Sequence, residues 1–583
     1  MTEYPSFDWD VDRVYETIRT IVETMPDRLP GTDAAAMMAE FSRERLERAG
    51  VPATVHPVHA LVSVPEPANL SVIAPIERNI PALTMAHSPS TREPIEATLT
   101  DVGLGGWDDY DGIDVTGIAT LSELSYAPPR QEKQRIAGIK GSCAQIMMNW
   151  GYPDSTELPM GSVKSGWGNP TRAEIGLSEA SLPCAGISRQ DGEFLRRLCA
   201  EGPAKIRLET RAQSEWRDIH VTTGGIDSGE SDDFILVGGH QDGWFGGAAT
   251  DNASGSAIML ELARAFAERM DSLRRGLTFG FWAGHETGTM AGSAWWADRN
   301  WDRLRDHAVG YLQIDQPACV GTSGWAVTSN YELNRLAEMV HADSGDRTPL
   351  AWGPQVKSGD SSFFGIGVPI MVGHSRFPAE ELRQSSNAVY GWWHHTARNE
   401  IDKIDKDLIL PHLRIYAQYL THFTMDPLLP LRMGKLGSAI ESRLLELCRR
   451  DLDDTLGLHH LHDRSVALNR ALANLDAHAD RLSSQISPSE EQAAPTNNAL
   501  KRLSRVLVPV ASTVVGKYGH DPYGLTEQLT MLPSLYGVAE YLSLNGRAER
   551  EMHWVELIRA RNQISDALTD ALGLCELVVD VPS

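Results

Sequence analysis

Cysteine is scarce and scattered in this chain. Its six cysteines, Cys143, Cys184, Cys199, Cys319, Cys448 and Cys575, form no Cys-x-x-Cys pair, so neither a zinc ribbon nor a dithiol redox motif is indicated. That usage suits a reducing compartment better than a disulfide framework, and the expected location is cytoplasmic. No run of about 18 or more apolar residues occurs, so no membrane span is expected. The first residues, MTEYPSFDWDVD, are acidic and carry no apolar segment of the secretory kind. Basic residues are in the minority: 53 Lys and Arg face 78 Asp and Glu, a formal net charge of -25. Nucleic-acid backbones are bound mainly through Lys and Arg, so no such partner is expected. Internal repeats and low-complexity tracts are lacking too.

The composition that remains is that of a globular protein, with 42% hydrophobic and 22% charged residues over 583 positions. At about 150 residues per domain this length suggests three or four units. The most informative stretch is FILVGGHQDGWFGGAATDNASGSAIMLEL, residues 234–262. It reads as a buried strand, a glycine-rich turn and a helix carrying Ile258, Leu262 and Phe266 four apart. His240, Asp242 and Asp251 fall at the strand end and turn, where open α/β sheets place their sites. A histidine with carboxylates there suits zinc, although a histidine ordering a turn and aspartates capping a helix would look the same alone.

Later runs end in the same way. GLTFGFWAGHE (276–286) closes on His285 and Glu286, HAVGYLQID (307–315) on Asp315, and VPIMVGH (368–374) on His374. WWHHT (392–396) places His394 and His395 before Glu400, Asp402 and Asp405. One such residue is more often structural. Several at consecutive strand ends are harder to dismiss, because those ends converge in a doubly wound sheet.

Around this α/β pattern the chain changes character twice. Helices are expected on either side of a break at Arg28 to Gly31, and strands at 51–61 and 69–76. From about 98 to 206, short β-like runs and many glycines read as a separate β-rich unit interrupting an α/β domain built from 1–97 and 207–428. Beyond residue 428 the pattern is helical. Leu468, Leu472, Leu475, Ala479, Leu482 and Ile486 form a heptad-like seam, and SPSEEQAAPTN (487–497) reads as a linker or long loop.

Taken together, GGHQDGWFGGAATDNASGSAIMLELARAF, FGFWAGHETGTMAGSAWWAD, YLQID and HHTARNEIDKID resemble the M28 metallopeptidases, specifically the branch that contains glutamate carboxypeptidase II and the transferrin receptor. The resemblance implies an α/β zinc-peptidase domain with a mixed, mostly parallel, phosphorylase/hydrolase-like sheet. It also implies an inserted β-rich protease-associated domain and a C-terminal helical domain (429–583) that makes a homodimer. It implies two zinc ions, with His240, Glu286, Asp315 and His395 as ligands, Asp251 bridging the ions, and Asp242 supporting His240 through its carboxylate. The implied reaction is hydrolysis of an amide bond in a small peptide or N-acyl amino acid by a hydroxide held between the ions.

Several positions depart from the family pattern. His285 stands where the family has its general-base glutamate, His394 replaces the usual tyrosine, and Asn399 stands where an aspartate is common. His285 is the candidate base, with metal ligation the alternative, and His394 a candidate donor to the oxyanion. Lys357, Arg376 and Arg383, which flank the 368–374 run, are candidate partners for a substrate carboxylate. Because the proton-transfer groups differ, a C–N lyase and a non-catalytic scaffold stand beside hydrolysis as alternatives.

Overall fold

The computed structural model describes residues 6–579 except 126, 179–180, 346–347, 486–487 and 528–529. An eight-stranded mixed sheet forms its centre. In spatial order the strands are Ala53–Pro65, Ala212–Ile226, Gly276–Trp282, Phe234–His240, Ala308–Gln313, Ile370–Ser375, Trp325–Ser329 and Ala351–Pro354. The four strands from Gly276–Trp282 to Ile370–Ser375 are mutually parallel. Their carboxyl ends therefore lie on one edge, and three neighbours deliver His240, the His285–Glu286 pair and Asp315 to it.

Alternation along Phe234–His240 builds both layers. Ile235 and Val237 face the helices Val11–Thr24, Ser254–Ala267 and Lys406–Thr424, while Phe234 and Leu236 face Ala291–Arg299 and Trp301–His307. All four are buried, and each contributes roughly 1.5–3 kcal/mol. Glycines precede the last residue of the strand because nothing larger fits: a Cβ at Gly239 would lie 2.4 Å from the Ile314 carbonyl oxygen, and one at Gly238 2.5 Å from the Trp282 ring nitrogen. The two helices expected around the break at Arg28 are found as Val11–Thr24, capped by Asp10, and Asp33–Arg48, capped by Thr32.

A second sheet is a closed seven-stranded barrel in the order Pro67–Ala74, Arg78–Thr84, Cys184–Ile187, Ala144–Met148, Ala119–Glu123, Ile95–Asp101 and Ala204–Glu209. Sheet pairing starts this unit at Pro67, ahead of residue 98, where the sequence changes character. Leu70, Val72, Ile80 and Ala82 turn inward to meet Leu121, Ile146 and Ile187, so these early strands complete the barrel wall. The barrel is inserted between Ala53–Pro65 and Ala212–Ile226, which pair antiparallel with each other in the large sheet.

The C-terminal region is helical, with Gly434–Arg450, Leu458–Ser483, Glu490–Ser512 and Arg547–Val579 its long members. Leu468, Leu472 and Leu475 are fully buried in one cluster with Leu436, Ile440, Leu444, Ile564 and Leu568, and Ala479 is fully buried too. The seam thus packs within the chain. Ile486 lies outside the described residues. The expected linker is largely helix: Ser489 and Gln492 form a capping box that starts Glu490–Ser512 two residues after the undescribed pair.

Candidate metal centre

His240 sits at the last position of its strand, fully buried. Its Nδ1 donates to the Asp242 main-chain oxygen at 3.1 Å. Its Nε2 lies 3.0 Å from Asp251 Oδ1 and 3.6 Å from Asp315 Oδ1. His395 mirrors this arrangement. Its Nδ1 donates to the Met160 carbonyl at 3.0 Å, while Nε2 lies 3.2 Å from Asp251 Oδ2 and 3.3 Å from Glu286 Oε2. Asp251 therefore stands between two groups, one with His240 and Asp315, the other with Glu286 and His395.

A main-chain carbonyl can only accept, so each Nδ1 carries a proton and each Nε2 faces carboxylate oxygens. That contact needs positive charge, supplied either by a proton on Nε2 or by a metal ion between the groups. Glu286 Oε1 and Asp315 Oδ1 are buried without a hydrogen-bond partner. The donor set of nitrogen and carboxylate oxygen is that of zinc. The donor set of the five residues thus fits zinc. Burial opposes charge on His395, but Glu286 and Asp251 outweigh it and hold its pKa up at about 9. Burial likewise opposes charge on His240, yet Asp315 and Asp251 raise it well above the ordinary value. The cluster demands positive charge.

Asp242 acts differently from expectation. The His240 ring uses its main-chain oxygen, and its carboxylate stands 3.8 Å from Nδ1. The carboxylate instead receives the backbone N–H groups of His285 (3.4 Å) and Glu286 (3.1 Å), fixing the turn that presents both. Burial pushes its pKa up to about 6. Asn399 accepts from the backbone and hydroxyl of Thr250 at 2.9 and 3.0 Å, so it holds the turn immediately before Asp251.

Both atypical histidines join the centre. His285 stacks on His240 with ring centroids 3.9 Å apart, and His394 stacks on His395 at 4.0 Å. His285 Nδ1 is 2.9 Å from Asp360 Oδ2. His394 Nδ1 lies 3.1 Å from Asp251 Oδ2 and 3.2 Å from Gln316 Nε2.

Above the cluster is a cavity of about 300 Å³ lined by Asp251, His285, Glu286, Asp315, His394 and His395, with His374, Tyr390, Tyr523 and Arg130 completing the wall. The expected carboxylate partners are elsewhere. Lys357 reaches the Asp521 carbonyl across the face of Trp167, Arg376 is exposed, and Arg383 is exposed and paired with Glu380. None of the three lines the cavity. The cation that does is Arg130, delivered by the barrel unit and held by a bond from its Nε to the Ser162 carbonyl at 3.0 Å. Burial lowers its pKa, against the pull of Glu286, Tyr523 and Asp251.

Beneath the centre is Arg28, fully buried, which donates to the carbonyls of Gly247 (2.7 Å), Ala248 (3.1 Å), Met25 (3.2 Å) and Gln241 (3.3 Å). Arg28, Arg130, Asp360 and Tyr523 were not singled out from sequence. Their neighbours in the chain carry no strand-end pattern, and only the fold brings them here.

Residues 219–420 match peptidase family M28. A probable glutamate carboxypeptidase of Zea mays is 25% identical over 378 residues, 54% of this chain and 51% of that protein. A probable glutamate carboxypeptidase of Arthroderma benhamiae is 33% identical over 146 residues, 24% of this chain and 19% of that protein. The chain thus spans about half, or less, of the length of these curated relatives. In fold it is similar to a zinc aminopeptidase from Bacillus subtilis, with 20% identity, a TM-score of 0.55, and coverage of 72% of this chain and 96% of that one.

Proposed function

Because the chain carries a peptidase family M28 domain, we propose that it is a zinc-dependent hydrolase cleaving an amide bond in a small peptide or N-acyl amino acid that bears a free carboxylate. The observation that carries this reading is the placement of Asp251 between His240 with Asp315 and Glu286 with His395, where two buried carboxylate oxygens lack partners. Those five residues would hold two divalent ions, which when bound polarise the scissile carbonyl and steady the charge that develops on its oxygen.

The chain's own residues account for the rest. Arg130 is the guanidinium facing the cavity and suits a substrate carboxylate. His285 engages Asp360 through Nδ1, which leaves Nε2 to take a proton from the attacking water and return it to the leaving amine. His394, stacked on His395 at the cavity wall, is placed to donate to the oxyanion. The barrel's insertion between paired strands supports its assignment as a protease-associated-like insert. Exposed Met552, Trp554, Val555 and Leu577 on the last helix support a homodimer through the helical region. The thiols, all six free, suit a cytoplasmic setting.

The test is a panel of N-acetyl amino acids and dipeptides, each with a free or an amidated carboxyl end, incubated with zinc-replete protein and read by mass spectrometry. Cleavage with addition of water, faster for the free acids, is expected. An alkene product would make the protein a C–N lyase, and no turnover at full zinc content would make it a scaffold.

A further inference from the structure

We infer that Asp360 is a positioning residue that fixes the tautomer and orientation of His285, so that an Asp360–His285 dyad stands where the family has a glutamate. The inference rests on the proton-transfer role proposed for His285 and adds the group that makes the imidazole competent for it.

The hydrogen-bond chain runs in one direction. Trp167 Nε1 can only donate, and it donates to Ser362 Oγ at 2.9 Å. Ser362 Oγ lies 2.9 Å from Ser293 Oγ, which in turn donates to Asp360 Oδ1 at 2.7 Å. Asp360 Oδ2 then faces His285 Nδ1 at 2.9 Å. The main-chain N–H of Asp360 is held by Gln313 Oε1 at 3.1 Å, and the residue is fully buried. Each link is polarised toward the carboxylate, which has only acceptors to offer. Nδ1 of His285 must therefore carry the proton, and Nε2 presents a bare lone pair to the cavity that the ring lines.

Proximity alone would make His285 a metal ligand, since its ring lies within reach of His240 and Asp315. Stacking argues against that. An imidazole lone pair lies in the plane of its ring, and a zinc ion sits about 2.0–2.1 Å from the nitrogen in that plane. The His240 and His285 rings are 3.9 Å apart and only 14° from parallel. An ion that His240 would hold in its own ring plane would therefore not also be held by His285. With Nδ1 bonded to Asp360, Nε2 of His285 is the nitrogen left for a proton. In the step it serves, a water O–H bond breaks as its oxygen joins the carbonyl carbon, and Nε2 receives the proton. When the C–N bond breaks, the same proton passes to the amine nitrogen. His394 also stacks on a ligand histidine, but the carboxylate facing its Nδ1 is Asp251, itself placed among the ligands. Of the two added histidines, only His285 has a carboxylate to itself.

The experiment compares Asp360→Asn, His285→Ala, the double variant and Ser293→Ala in the full zinc-loaded chain, on the fastest substrate of the panel. Asp360→Asn is expected to lower kcat roughly 10–100-fold with KM within about twofold, at unchanged zinc per chain. Its effect should vanish in the His285→Ala background, because Asp360 acts only through His285. Added imidazole should restore turnover equally to His285→Ala and to the double variant. In nitrogen-15 spectra, the ring signal lost in His285→Ala should shift from the Nδ1–H toward the Nε2–H form in Asp360→Asn. Ser293→Ala, the milder change, should lower kcat a few-fold in the same pattern. A full Asp360→Asn effect in the His285→Ala background, or zinc loss from Asp360→Asn, overturns the dyad, as does wild-type kcat in Asp360→Asn. Wild-type turnover in His285→Ala overturns the proton-transfer role itself, and zinc loss from His285→Ala makes that residue a ligand.

Discussion

Among the described residues, two places bury carboxylate oxygens without a hydrogen-bond partner, and they differ in charge. At the strand ends, Glu286 keeps Oε1 unpartnered, yet its pKa lies below the ordinary value. Burial pushes it up, but His395 and His285 outweigh burial. In the turn Tyr331–Leu333, Glu332 is fully buried with neither side-chain oxygen partnered, and burial pushes it up to about 7. The difference is company. His395 and His285 keep Glu286 ionised, whereas Glu332 meets packing alone and stays largely neutral below pH 7. An unpartnered carboxylate marks an ion site only when its surroundings hold it charged.

The largest effect comes from removing that company. His240→Ala and Asp251→Ala should each lose at least one zinc per chain and drop hydrolysis to background, while Glu332→Gln keeps the wild-type ion content. Elemental analysis of the three purified variants decides it. Equal zinc in all three would place the strand-end cluster in the same class as Glu332.

Next is the cation below the centre. Arg28 carries charge into the floor and satisfies four carbonyls, three of them on the loop between His240 and Asp251. Arg28→Met should cost about 2–4 kcal/mol, because buried acceptors lose their donors. It should also weaken zinc retention during dialysis against a chelator. A variant with wild-type unfolding and zinc retention would remove Arg28 from the account of the floor.

The cavity roof should respond differently from the floor. Arg130→Ala is expected to raise KM about 10–100-fold for free-acid substrates, the loss of a charge-assisted hydrogen bond, and to leave amidated substrates and zinc content unchanged. A uniform loss across both substrate sets would mean that Arg130 only braces the wall.

Floor and roof also differ in how far they could be read from sequence. Apolar runs ending in His240, Glu286 and Asp315 carry their meaning locally, because a parallel sheet brings consecutive strand ends to one edge. His395 is marked by its neighbours in HHTARNEIDKID. The roof has no such local rule. Lys357, Arg376 and Arg383 lie near a site strand in sequence, but Lys357 turns away and the arginines face solvent. Arg130 comes from the inserted barrel and Tyr523 from the loop that follows Glu490–Ser512 in the helical region. Their convergence depends on how whole units pack together. The His285–Asp360 pair spans 75 residues and needs the sheet closed before the two groups meet. The seam at 468–479 shows the converse: a periodicity that predicts a partner helix, correctly, without saying that the partner belongs to the same chain.

The smallest effect sharpens the comparison from the Glu332 side. Its folded pKa of about 7 lies above the ordinary 4.5 that it regains on unfolding. Below pH 4.5 both states hold the proton, and the neutral acid imposes no charge on the interior. As pH rises from 4.5 toward 7, the unfolded chain releases the proton while the folded chain keeps it, so stability falls with pH. Beyond about pH 7 the folded carboxylate ionises as well, and the loss levels off at about 1–3 kcal/mol. Glu332→Gln keeps the shape and cannot ionise. It should match the wild type near pH 4.5 and exceed it by a few degrees in Tm near pH 8. Every other titrating group cancels in the difference between the two curves. Parallel curves across this range would mean that Glu332 is ionised in the folded protein, and that charge on a buried, unpartnered carboxylate does not distinguish the metal centre after all.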